Sequence, residues 1–347
     1  MREVKVDVPT TNERSPRAHL SYLDGIRGLS ALYVMMYHIY HELTNYQSQH
    51  IGPSRLIFVI QKLFGWGGHD CVTVFICLSG FSLAIPLAKA RYRNLSNSNQ
   101  FKNFMIRRAL RIAPPYYVSI LLIVIAALLF PGLSIPTQTS WNNALPILDA
   151  RSILYHVTFL HALDPNQIFK ISPQFWSIGT EAQLYFWLPL ILVPIACRKS
   201  ILWGVAASLV ACLIIIPIKS VESACLHYVF TFSLGALAAD LIFNQSKRDK
   251  PNDRLAMAVL IIFLAGCLVV AQSTNNIWAF RDMIISPVIA IGLYFLARDL
   301  NPGPAIKRIR HILSSRIMMF LGKISYSLYL VHYVYSAFCT LSLYQMV

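Results

Sequence analysis

The chain has 347 residues, 56% hydrophobic and 13% charged, with a mean hydropathy of +0.54 and a formal net charge of +15. A soluble domain of this size carries about 25% charged residues, so the composition excludes one and predicts an all-α, polytopic membrane helix bundle. In a soluble chain the positive balance would suggest nucleic acid; here its placement in loops accounts for it, and no nucleic-acid partner is expected.

Residues 1–19 are polar and of mixed charge, without the apolar stretch of a cleavable signal peptide. A short disordered cytosolic arm is expected there, followed by a single membrane domain over 20–347. Apolar runs predict spans at roughly 27–44, 71–88, 116–131, 176–196, 201–218, 224–243, 255–272, 283–297 and 317–341. The stretches 56–64 and 144–163 are ambiguous, and Asp149 and Arg151 make the second interfacial, so nine spans are countable and ten are allowed. With the N-terminus inside, inner segments hold 22 lysines and arginines and outer loops six. That split predicts a cytosolic N-terminus in the cell (inner or plasma) membrane. Cys71, Cys77, Cys197, Cys212, Cys225, Cys267 and Cys339 mostly lie in apolar runs without ligand spacing, so no metal is expected.

The first span reads YLDGIRGLSALYVMMYHIYHEL, with Arg27 at its edge and His38 eleven residues on. A rise of 1.5 Å per residue puts them about 16 Å apart, and eleven steps of about 100° return them to one face. An ionisable group at that depth is costly unless paired or hydrated, which marks His38 as a candidate site. Glu42, four residues further, is placed to fix its tautomer, His41 lies within one turn, and Asp24 is placed to pair with Arg27.

The loop 89–113 carries Lys89, Arg91, Arg93, Lys102, Arg107, Arg108 and Arg111 and no acid. Arg107 and Arg111 share a helix face just before Pro114, which is expected to stop that helix. A guanidinium cluster suits a polyphosphate, because each arginine binds two oxygens at once; the simpler alternative is attraction to anionic headgroups. In PQFWSIGTEAQLYFWLPL, Glu181 lies inside a span beside Gln183 and Tyr185. It would partner His38, contact an acceptor's hydroxyls, or join helices by hydrogen bonding. Ser79, Gly80 and Phe81 read first as helix packing. Ser325, Tyr326, Tyr329 and His332 share one side of the last span, as a polar cavity lining or as an aromatic interface.

Arg27 with His38, then CVTVFICLSGF, RRALRIAPPYY, FWSIGTEAQLYFWLP and ISYSLYLVH follow in order. In this series the chain resembles the integral-membrane acyltransferase family (acyltransferase 3), from about Leu20 to His332. The resemblance implies about ten helices and transfer of an acyl group, usually acetyl, from acyl-CoA. The acceptor would be a hydroxyl of a surface glycan, a signalling oligosaccharide or a glycosylated metabolite. By position, Arg27 and His38 match the family's arginine–histidine pair, Arg107, Arg108 and Arg111 its basic motif, Glu181 the glutamate of its tryptophan–serine motif, and Ser79, Gly80 and Phe81 its SGF motif. Two departures stand out: Thr73 occupies a position where the family often has an acid, and Glu181-Ala182-Gln183 keeps one carboxylate where two are frequent. The soluble extension of some members is not expected.

The mechanism this predicts is O-acyl transfer, with Arg107, Arg108 and Arg111 binding the phosphates of acetyl-CoA at the inner face. His38 acts as general base or transient acyl carrier, and Arg27 and Glu181 assist. The rival class is a transporter or flippase using the same His, Glu and Arg as a proton relay; the absence of repeated halves in the sequence speaks against it.

Overall fold

The structure, a computed structural model, describes residues 20–50, 55–64, 67–90, 98–130, 146–215, 225–243, 277–298 and 302–344. The predicted arm 1–19, the predicted span 255–272, Cys267 and the side chains of Glu42 and Cys339 lie outside the described residues. Among the described residues there are helices and no strands, so the chain is an all-α polytopic helix bundle.

The helices are α1 (Ser21–His50), α2 (Arg55–Phe64), α3 (Gly68–Lys89), α4 (Ser98–Leu129), α5 (Ala150–Val157), α6 (Phe175–Trp187), α7 (Val193–Arg198), α8 (Ile201–Ile215), α9 (Tyr228–Phe243), α10 (Ile277–Arg298), α11 (Pro304–Leu313) and α12 (Arg316–Tyr344). A π turn over Leu188–Leu192 joins α6 to α7, so the two form one rod. Phe58–Lys89, Asn99–Leu129, Phe175–Arg198, Ala279–Arg298 and Arg316–Ser336 are each long and apolar enough to cross a membrane; Ile201–Ile214 and Tyr228–Phe243 are shorter apolar helices.

The bundle is turned outward in polarity. Leu121, Leu128, Val288 and Ile317 are exposed, while Ser208 and Ser233 are buried and bond to each other at 2.8 Å. Exposed apolar side chains in rows are what a lipid-facing surface requires, and buried hydroxyls supply contacts between helices that lipid cannot.

Two close crossings organise the helices. Where α1 meets α12, a Cβ on Gly28 would run into the backbone of Gly322 and Leu321. Where α3 meets α9, a Cβ on Gly80 would strike the Phe232 carbonyl and one on Gly235 the Cys77 carbonyl. Small residues let backbones touch, which is how helices associate where water offers no hydrophobic drive. The packing reading of Ser79-Gly80-Phe81 therefore holds at Gly80.

Pro114 does not stop its helix. α4 runs from Ser98 through Pro114 and Pro115 to Leu129, so the arginine run and the third predicted span share one rod. The two prolines remove the helix bonds to the Leu110 and Arg111 carbonyls, a loss that a helix packed in a membrane bundle tolerates. Tyr326 of α12 packs beside this turn, donating to the neighbouring Ile112 carbonyl at 3.2 Å. The stretch 144–163 holds the eight-residue α5, too short to span, capped by Asp149, whose carboxylate accepts from the Ser152 N–H at 2.6 Å. That bond holds the Asp149 carboxyl below the usual range.

Candidate active site

Two chambers lie inside the bundle, and both are lined by Val72 and Tyr329. The first, about 170 Å³, receives Arg27 from α1, Arg108 and Arg111 from α4, Glu181 and Tyr185 from α6 and Tyr326 from α12. The second, about 450 Å³, receives His38 from α1, His69 from α3, Gln174 before α6, Trp176 on α6 and Tyr333 from α12. Tyr329 stands at their junction, its hydroxyl 2.7 Å from Ser177 Oγ and donating to the Gln174 carbonyl at 3.3 Å.

Two arginines of the first chamber, Arg27 and Arg108, are held in place. Arg27 donates to Asp24 and to Ser82 Oγ, both at 2.7 Å, which is the pairing its three-residue spacing predicts. It also lines an adjoining recess of about 220 Å³ with Ser82 and Lys89, so the chamber has an approach at this end. The Arg108 guanidinium lies 5.8 Å from the Phe104 ring and 5.9 Å from the Tyr185 ring, and its Nε is buried without a hydrogen-bond partner among the described residues. Arg108 and Arg111, three apart, share the lining face. Arg107 is exposed and does not line the chamber, because one residue's rotation turns it away from Arg108.

Glu181 belongs to the arginine chamber. Its Oε1 accepts from Tyr185 at 2.6 Å and from Ser79 at 3.4 Å, so the expected contact with His38 is not made. The reason is depth: Glu181 projects into the first chamber, while His38 lines the second.

His38 is instead packed among rings. Its centroid lies 5.0 Å from His332, 5.0 Å from Tyr333 and 5.3 Å from Tyr37. His332 Nδ1 bonds the Tyr329 carbonyl at 2.5 Å, which makes Nδ1 the protonated nitrogen and leaves Nε2, buried and unpartnered among the described residues, as the acceptor. Of the two readings of the last span, the structure supports both: Tyr326 and Tyr329 line a cavity, and His332 forms the ring contact with His38.

A third group escaped sequence reasoning. Asp282 on α10 has a fully buried side chain, and its Oδ2 lies 2.8 Å from His69 Nε2 and 3.0 Å from His227 Nε2. Its Oδ1 accepts from Thr73 at 2.7 Å. A carboxylate from a different helix thus reaches Thr73. The signal was an acid inside an apolar run, but the predicted span began at 283, one residue too late, and left Asp282 in a loop with Arg281. Likewise, the predicted span beginning at 71 left out His69.

A model of the acyltransferase domain (acyltransferase 3) matches residues 20–345. The chain belongs to this family. A Staphylococcus aureus (strain COL) protein provisionally named O-acetyltransferase is 25% identical over 92% of this chain and 51% of its own length. The peptidoglycan O-acetyltransferase OatA of Listeria monocytogenes is 24% identical over 92% of this chain and 50% of its own. A provisionally named acetyltransferase of Acidianus two-tailed virus is 23% identical over 88% of this chain and 80% of its own. The chain thus spans about half the length of the staphylococcal and listerial relatives. No solved structure matches. The two chambers lie within the region that the family model matches.

Proposed function

We propose that the chain is a membrane O-acetyltransferase that moves an acetyl group from acetyl-CoA to a hydroxyl of a carbohydrate-containing acceptor. The observation that carries this reading is the pair of chambers meeting at Tyr329 and Val72, one edged by arginines and the other by histidines and aromatic rings. A cavity of about 170 Å³ is too small for a whole coenzyme A but takes the acetylated pantetheine end. The nucleotide and its phosphates then stay at the mouth, where Arg108, Arg111 and Arg27 line the chamber and the exposed Arg107 flanks it.

The arginine end faces the cytosol, where acyl-CoA is available, and the loop bases favour the same orientation with a cytosolic N-terminus in the cell membrane. The histidine chamber takes the acceptor: Trp176, Phe169 and Tyr333 offer apolar faces to a sugar ring, and Gln174 offers an amide to its hydroxyls. The listerial relative's printed substrate, peptidoglycan, supports an acceptor of this kind. His38 takes the hydroxyl's proton or carries the acetyl group; Arg27 and Glu181 order the donor side.

Membranes carrying the protein are incubated with radiolabelled acetyl-CoA and envelope glycans, and label on the glycan is counted. The expected result is labelled ester in the wild type and none with His38→Ala at equal expression. Wild-type membranes that label no glycan, or a His38→Ala variant at wild-type level, overturn the reading.

A further inference from the structure

We infer that His69, oriented by Asp282, is the base that takes the proton of the acceptor hydroxyl in the histidine chamber. This rests on the acetyl-transfer reading above and gives the proton-taking role, one of the two left open for His38, to a second histidine.

The geometry of the Asp282 cluster carries the argument. Asp282 accepts from three donors: His69 and His227 at Oδ2 and Thr73 at Oδ1. With both imidazoles donating from Nε2, the basic lone pair of each is on Nδ1. The two imidazoles differ in access. The His227 side chain is 8% exposed, whereas that of His69 is 31% exposed and lines the chamber that His38 also lines. A purely structural carboxylate between helices would not need to hold an imidazole open to a cavity.

The surroundings set the ring's plane. Trp176 of α6 stacks on His69 at 5.8 Å and 17°, and Tyr228 of α9 stands 3.3 Å from its Nε2. Arg281 beside Asp282 donates to Asp70 beside His69 at 2.6 Å, which ties α10 to α3 at this level. An imidazole held by a buried carboxylate, next to a cavity, is the arrangement of a base oriented by a third group.

In the step, the acceptor oxygen attacks the acetyl carbonyl carbon. The O–C bond forms while the bond to the leaving atom breaks, and the hydroxyl proton goes to His69. Asp282 holds the resulting imidazolium until the proton passes to the leaving group or to water. With this proton taken by His69, His38 is left to carry the acetyl group. Its nitrogen first attacks the thioester, the C–S bond breaks, and CoA leaves as the thiol with the imidazole proton. In the second half the leaving atom is therefore the His38 nitrogen, which regains a proton from His69.

Hydroxylamine accepts acetyl groups without needing a base to deprotonate it, whereas a sugar hydroxyl does need one, so the pair of acceptors isolates the dyad. The full-length protein in detergent is given acetyl-CoA with either hydroxylamine or disaccharide-peptide fragments of peptidoglycan. His69→Gln keeps a donor for Asp282, and Asp282→Asn keeps volume, so both variants test function in a folded bundle. The expected result is a loss of roughly 10²- to 10⁴-fold toward the glycan with hydroxylamine acetylation near wild type. His38→Ala loses both activities. Equal losses on both acceptors, or none on either, overturn the inference while leaving acetyl transfer standing. Wild-type protein that acetylates neither acceptor overturns the function reading itself and this inference with it.

Discussion

Around the arginine chamber three charges are each fixed by two neighbours: Arg27 by Asp24 and Ser82, Arg108 by the Phe104 and Tyr185 rings, Glu181 by Tyr185 and Ser79. Around the histidine chamber a single carboxylate, Asp282, gathers His69 and Thr73 from α3 and His227 from the turn before α9. The first arrangement leaves cationic groups available to an anionic ligand. The second keeps its charge on a buried carboxylate satisfied by three hydrogen bonds and presents rings and an amide to the cavity, which suits a neutral, hydroxylated one. One molecule thus separates two solvation problems that a single pocket would have to solve together.

Five substitutions and a change of pH sharpen that contrast. The largest effect is expected at His38, where Ala should lower acetyl transfer by at least roughly 10²- to 10⁴-fold toward any acceptor, read as label transferred from acetyl-CoA. Next, Arg108→Ala and Arg111→Ala should each raise KM for acetyl-CoA by about 10- to 100-fold, the cost of one charge-assisted contact, with KM for the acceptor unchanged. A change in acceptor KM of the same size would show that the chambers are not separate. Tyr329→Phe removes the bonds to Ser177 and Gln174 at the junction and should cost about 1 kcal/mol of stability by thermal unfolding, with a several-fold rise in acetyl-CoA hydrolysis.

The smallest effect is a pH dependence outside the spans. His156 and His161 stack at 4.2 Å, and burial pushes His156 down to about 4 and also lowers His161. Their folded forms are neutral while the unfolded chain takes up protons near the ordinary value of 6.5, so stability is present above that pH. It is lost progressively as pH falls toward about 4. Because His161 Nε2 donates to the Phe175 carbonyl at the start of α6, activity should decline with it. Replacing His161 by Gln should flatten the stability curve measured by thermal unfolding between those limits.

The all-α membrane architecture was legible because lipid demands long apolar runs and confines lysine and arginine to loops, whatever the tertiary packing. Arg27 and His38 stood out through the cost of ionisable groups in lipid, and each lines one of the two chambers. Periodicity correctly placed Asp24 against Arg27, since three residues on one helix meet without help from the fold. It misjudged Pro114, because whether a membrane helix continues through a proline depends on packing, here beside Tyr326 of α12, which is distant in sequence. The Asp282 cluster was hidden for a different reason. Its members come from residues 69, 73, 227 and 282, and no local pattern links positions that only helix packing brings together.

The glycine crossings bear on how the protein tolerates its surroundings. At Gly28 with Gly322, and at Gly80 with Gly235, main chain meets main chain, so the spacing of the helices that carry His38 and His69 is set by atoms common to every residue. Swapping Leu121, Leu128, Val288 or Ile317 for other apolar side chains changes what the lipids touch and leaves that spacing alone. The chemistry is insulated from the membrane it sits in, and one added methyl at a crossing should disturb it more than several changes on the outer face.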